Sequence, residues 1–407
     1  MRLIKLWAIV FFSIALSSCS SRSYLNSEGH SAMVQGDYLK AAEVFKERSA
    51  QKTGNRVLWL MDQGSALFAA GSYKESIEVF LEAEKLTQVK EFTSITEEAG
   101  SLLTSSNLKD YKGEDYEKVL INVYLAMAFS ALGDEDEALV EARKINLLLN
   151  RMITEGKRNY QESAFARYLS AMLWESGGEY DSAYIDYKKA YDLEPTFPGV
   201  AQDLLAMARK NRFMDRFEKW KKTFPKEELR KLGKGQGELV FLFEAGLSPE
   251  KVPRGGDDST LPRYRRRPHA KQSARLRIDG FESPKFEIAL DIENTSIKYL
   301  EDNVSKILAA KIAGAAVKGA VAIGVGKATK NSELGQAVFL ALMLTEQADL
   351  RHWRSLPANV QILRTPLDPG SYNFTLDILS VGDTVYKSIE FKNVIIKANK
   401  KTFLTAR

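Results

Sequence analysis

The spacing of apolar and polar positions changes along this chain. From about residue 30 to residue 210, apolar residues recur every three or four positions, as in "AAEVF", "SIEVFLEA", "VYLAMAFSAL" and "AYIDYKKAY", which predicts amphipathic helices. Beyond residue 237 the period falls to two in "RLRID" and "FEIALDI". The run "ELVFLFE" is nearly continuous, and both patterns predict strands. In "PLDPGSYNFTLDIL", Pro369 and Gly370 form a turn signal directly before a strand. Helical spacing returns in "KILAAKIAGAAVKGAVAIGVGKATKNSELGQAVFLALMLTEQADLRHW", read as two helices about a turn at Lys330-Asn331.

In the helical half one local pattern repeats: "GDYLKAAEVF" at Gly36, "GSYKESIEVFLEA" at Gly71 and "GEYDSAYIDYKKAYDLEP" at Gly178, with a weaker copy at Gly133 that keeps Ala138 and Ala142. A glycine can turn the backbone between two helices where a side chain would clash. Ala41, Ser76, Ala138 and Ala183 then mark close helix approach, and Phe45, Phe80 and Tyr187 fill the space beyond. Gly36 and Gly71 are 35 residues apart, and Gly64 stands seven residues before Gly71. The pattern resembles the tetratricopeptide repeat, with insertions that lengthen the later spacings. The expected fold class is α+β: an N-terminal all-α tetratricopeptide-like helical repeat array (27–212), a linker (213–236), and a small antiparallel β-sandwich-like domain (237–407) with an inserted helical hairpin at about 300–350.

Ahead of the array, Arg2 and Lys5 precede an apolar run from Leu6 to Leu16 that is shorter than the ~20 residues of a membrane span. "LSSCS" holds Cys19, the only cysteine, so a disulfide within the chain is excluded. Leu-Ser-Ser-Cys resembles the bacterial lipobox. That resemblance implies a signal peptide (1–18), lipidation of Cys19 and a linker (19–26). Ser20 in place of aspartate implies the outer membrane, with the protein facing the periplasm.

A 44% hydrophobic and 27% charged composition is that of a globular protein, and a net charge of +5 with an exported chain argues against nucleic acid as a partner. No G-x-S-x-G, H-E-x-x-H or P-loop occurs, and His30, His269 and His352 lie far apart, so no catalytic role, metal or cofactor is expected. "GVGKAT" at Gly324 lacks phosphate-loop spacing and reads as helix packing. Glu114, Asp115 and Glu117 read as helix capping. Lys311 and Lys318 make full membrane insertion of the hairpin costly, and a buried amphipathic hairpin is the expectation.

The order of blocks such as "YKGEDYEKVLIN", "GELVFLFEAGLSPEKV" and "LTEQADLRHWRSLP" resembles a family of Gram-negative tetratricopeptide lipoproteins that offers no catalytic residues to carry over. Its layout is similar to outer-membrane lipoproteins that assemble or regulate envelope machinery, including wall synthesis. The resemblance implies a scaffold that binds an envelope protein partner and is tethered to the membrane by its N-terminal lipid. The groove lined by first helices is the expected docking face, with exposed Asp62, Gln63 and Asn122 as candidates. The basic run Arg263, Arg265, Arg266, Arg267 and Lys271, read as a loop, is a second candidate, for anionic wall polymer or glycolipid. The Ala/Gly-rich hairpin is a third, as a membrane-active element.

Overall fold

A computed structural model describes residues 27–51, 53–89, 110–156, 163–230, 232–256, 259–270, 273–278, 281–344 and 347–407. Cys19 and Lys271 lie outside the described residues.

Consecutive helices pack in pairs: α1 (Glu28–Gln35) with α2 (Tyr38–Ala50), α3 (Arg56–Ala69) with α4 (Tyr73–Val89), α5 (Asp115–Leu132) with α6 (Glu135–Gly156), α7 (Ala164–Ser176) with α8 (Tyr180–Leu193), and α9 (Val200–Lys210) with α10 (Met214–Thr223). Gly36, Gly71, Gly133 and Gly178 turn the first four pairs, all with φ between 77° and 81°. Ala41, Ser76, Ala138 and Ala183 are fully buried at the helix approaches. Gly64 is needed for a second reason: a Cβ there would lie 2.7 Å from the Phe80 ring. The array is a TPR-like helical repeat.

The fifth pair carries α10 into residues 213–236, which read as a linker from sequence, and buries Phe217 and Trp220. Its turn is made by Arg212 at φ 58°, so the glycine that marks the other four is missing.

The C-terminal half holds β1 (Gly237–Ala245), β2 (Glu250–Pro253), β3 (Pro262–Arg265), β4 (Ser273–Ile278), β5 (Phe281–Lys285), β6 (Glu287–Asp291), β7 (Asn359–Leu367), β8 (Gly370–Leu379), β9 (Val385–Ile396) and β10 (Lys401–Ala406). One sheet has the order β10-β1-β7-β6 and another β5-β4-β8-β9, while β2 and β3 form a two-stranded ribbon. The first sheet is mixed, because β10 runs parallel to β1. Every residue of β1 is buried. Leu239, Phe241 and Phe243 face a core shared with Leu276, Phe374, Leu376 and Ile378 of the second sheet. Val240 and Leu242 point the other way, into the core of the helical array. This burial on both faces is why "ELVFLFE" reads as a continuous apolar run.

Between β6 and β7 stand α11 (Ile292–Thr329) and α12 (Ser332–Leu344), joined at Lys330, which takes the left-handed conformation at φ 51°. "GVGKAT" lies within α11 and is helix, not a phosphate loop.

Candidate functional site

The face of the array lined by the first helices is not an open groove. Segment 347–358 and the sheet β10-β1-β7-β6 cover it, and one hydrophobic core runs from Val57, Leu60 and Tyr124 to Trp353, Val360 and Phe403. Trp353 is 1% exposed. Its indole Nε1 donates to Ser65 Oγ at 3.0 Å, and its ring packs against Tyr124 at 5.4 Å and Phe80 at 5.7 Å between centroids.

The sequence reading of Asp62, Gln63 and Asn122 as exposed is corrected, since all three are buried. Asp62 Oδ1 accepts the backbone N–H of Ser355 at 3.0 Å, and Oδ2 pairs with His30 Nε2 at 2.7 Å. Gln63 Oε1 accepts the hydroxyl of Ser49 at 3.0 Å. Asn122 Nδ2 donates to Glu84 and Glu141, tying three helices together. Polar residues on an inner helix face need such partners once that face is covered.

Glu117 sits at the centre of the covered face. Its carboxylate accepts the N–H of Glu114, closing the first turn of α5, the hydroxyl of Tyr111 at 2.6 Å and the backbone N–H of Trp353 at 2.7 Å. The capping role is therefore joined to a second one, holding segment 347–358. Burial, and then the neighbouring Glu114 charge, push its carboxyl up to about 7, against the opposing pull of Tyr111, Lys251 and the Trp353 N–H. His352, next to Trp353, is pushed well below the ordinary histidine range by burial, and then by the Lys251 charge, and is neutral at physiological pH.

A buried ionic network joins the array to the sheet further along. Arg364 of β7 donates to both Glu238 oxygens at 2.9 and 2.8 Å, to Asp203 at 2.9 Å and to the Tyr168 hydroxyl at 2.7 Å. Burial alone would raise Glu238, but the charges of Arg364 and Lys401 outweigh it and hold the carboxyl well below its usual range. Trp353 and Arg364 were not singled out from sequence, and Glu117 was read only as a helix cap. The one available signal was a tryptophan and charged residues in the short stretch "DLRHWRSLP".

The basic run is also rearranged. Arg263 and Arg265 lie on strand β3, not in a loop, and Arg263 is exposed. Arg265 pairs with Glu250 and Arg266 with Glu293. Arg267 donates to the carbonyls of Ser248 at 2.5 Å and Arg354 at 2.9 Å. Three of the four described arginines thus hold the chain's own groups, which leaves much less cationic charge for a polymer than the sequence implies.

The hairpin departs furthest from expectation. Only its base is packed against the body, with Tyr299 against Tyr116 at 5.3 Å. Beyond it, Leu308, Ile312, Ile323 and Leu340 are 45–63% exposed. Exposed large apolar residues elsewhere include Leu39 on α2, Leu81 on α4, Leu147 on α6 and Ile185 on α8, all second helices, beside Val34 on α1, Leu132 on α5 and Val385, Tyr386 and Ile395 on β9. Among the described residues, no group of three or more His, Cys, Asp or Glu side chains is arranged to hold a metal.

No protein-family model matches the chain, and no curated protein matches it. Solved structures similar to it include MamA, residues 41 to the end, from Desulfovibrio magneticus RS-1. That match has 16% identity and TM-score 0.34 and covers 51% of this chain and 92% of that one. A tetratricopeptide repeat protein from Parabacteroides merdae is 15% identical at TM-score 0.34, over 51% of this chain and 68% of that one.

Proposed function

We propose that this protein is a non-enzymatic, outer-membrane-anchored lipoprotein scaffold that binds a protein partner in envelope or cell-wall assembly. Cys19 supplies the lipid, and the molecule faces the periplasm. Burial of Trp353 in the inner face of the array carries the scaffold reading: array and sheet are one body, so the array acts as a mount with a set shape. Partner contact then belongs to the outer face, where Leu39, Leu147 and Ile185 are 64%, 62% and 53% exposed on the second helices of three pairs. Apolar side chains on a charged outer surface offer anchors for a partner polypeptide. Photo-crosslinkers placed at Leu39, Leu147 and Ile185 of the full chain in intact envelopes test this reading. Capture of one common polypeptide from these positions, and not from Ser371 on β8, is the expected result. Equal capture everywhere, or none, overturns it.

A further inference from the structure

The α11–α12 hairpin carries an apolar surface that nothing among the described residues covers. Between Lys311 and Lys327 the only ionisable residue is Lys318, and α12 has none between Glu333 and its end at Leu344. Lys318 is fully buried, and its ammonium donates to the carbonyl of Leu342 at 3.2 Å. That carbonyl lies in the last turn of α12, where backbone acceptors have no partner within the helix and the dipole favours a cation. The charge that makes insertion look costly from sequence is therefore turned inward and used to cap the neighbouring helix.

The glycines serve the same packing. A Cβ on Gly335 would meet the carbonyl of Ala322 at 2.8 Å and Gly326 Cα at 3.2 Å, so the two helices cross closely near the tip. The buried seam of α11 runs through Gly314, Lys318 and Ala322. Ile312, Ala313, Ala316, Ala320, Val321, Ile323 and Gly324 are all exposed. At ~100° per residue they span about 180° of the helix circumference. A surface that wide suits a surrounding apolar medium better than the single stripe a second helix would bury.

Length agrees with the same medium. Lys311 and Lys330 are 19 residues apart, which at 1.5 Å per residue is about 28 Å, close to the ~30 Å hydrocarbon thickness of a bilayer. Lysines at both ends can reach outward to headgroups. Gln336, the one polar side chain on α12 between Glu333 and Leu344, lies near the tip and lines an apolar groove of about 850 Å³ with Ile323, Phe339 and Leu340, open to acyl chains.

We propose that the α11–α12 hairpin inserts into a lipid bilayer, with Ile312 to Gly326 and Leu334 to Leu344 in the acyl region and Lys327 and Lys330 at the far headgroups. This is a second membrane contact, independent of Cys19.

The test places one thiol at Ile323→Cys, Leu340→Cys or, as a control, Ser371→Cys, each in the full chain with Cys19→Ser. Each thiol is labelled with a polarity-sensitive fluorophore and mixed with vesicles of phosphatidylethanolamine and phosphatidylglycerol. Labels at 323 and 340 should shift to the blue and be quenched by a nitroxide on the lipid acyl chain, while the label at 371 stays accessible to aqueous iodide. Ile312→Asp, at an exposed position, should leave thermal unfolding of the lipid-free protein unchanged and abolish the acyl-chain quenching at 340. The proposal is overturned if 323 and 340 remain as accessible to iodide as 371. It is equally overturned if the blue shift occurs without lipid and the thiols at 323 crosslink between copies, since a second copy then covers the face.

Discussion

The indole of Trp353 and the hydroxyl of Ser65 are joined by a 3.0 Å hydrogen bond across 288 residues of chain. Through that contact the last third of the protein closes the inner face of the first. Trp353→Ala should remove the ring from a site walled by Phe80 and Tyr124 and cost about 3–5 kcal/mol. Chemical denaturation followed by far-UV circular dichroism measures the loss. An unchanged midpoint would mean that segment 347–358 does not hold the array.

Gly64 and Phe80 offer a test of the repeat packing. Gly64→Ala should destabilise by about 1–3 kcal/mol through overpacking against the ring. Combining it with Phe80→Leu should cost less than the sum of the two single changes, because both act on one contact. Strict additivity in a double-mutant cycle would place the two residues apart.

Two buried groups give opposite pH dependences. Glu117 has its folded pKa near 7, above the unfolded value of 4.5, so the folded state holds the extra proton and stability falls as pH rises from 4.5 to 7. His352 has a folded value well below the unfolded 6.5, so the unfolded state holds the extra proton and stability falls as pH drops below 6.5. Between pH 4.5 and 7 Glu117 contributes a slope of up to about 1.4 kcal/mol per unit, and below pH 6.5 His352 contributes one of opposite sign. Glu117→Gln should therefore unmask loss of stability on acidification, and His352→Asn the reverse. Parallel profiles for both variants and the parent, from denaturation across this range, would refute the assignment.

Arg364 holds Glu238 and Asp203 in the interior between sheet and array. Arg364→Met should cost about 3–5 kcal/mol, since it takes from buried Glu238 its strongest cation and leaves Asp203 with Arg230 alone. The loss should be nearly the same at low and high salt, because buried pairs are weakly screened. A loss that disappears in high salt would indicate a solvated pair.

Cys19→Ser should leave an unprocessed precursor that takes up no lipid label in cells. Normal labelling and membrane recovery of that variant would remove the lipoprotein reading.

Much of the array was legible along the chain, because its determinants are local. Gly36, Gly71, Gly133 and Gly178 mark turns, and small residues at fixed offsets mark helix approach. The fifth pair escaped notice because Arg212 takes the left-handed turn that glycine takes elsewhere. The strand pattern was readable for the same local reason, although "ELVFLFE" could not say that its two faces serve two different cores.

What sequence alone determined, then, is most of the elements and the pairing of the first four helix pairs, since backbone turns and side-chain periodicity depend on residues a few positions away. Only the tertiary structure decided which faces remain in water. Asp62, Gln63 and Asn122 look solvent-facing by polarity, and Ile312, Ile323 and Leu340 look core-facing by hydrophobicity, yet both readings are reversed. Asp62 is satisfied by the backbone of a segment nearly 300 residues away and Gln63 and Asn122 by neighbouring helices, while the latter stand on a hairpin too long for the body to bury. Burial depends on what the rest of the chain brings to a surface, and no local period encodes that.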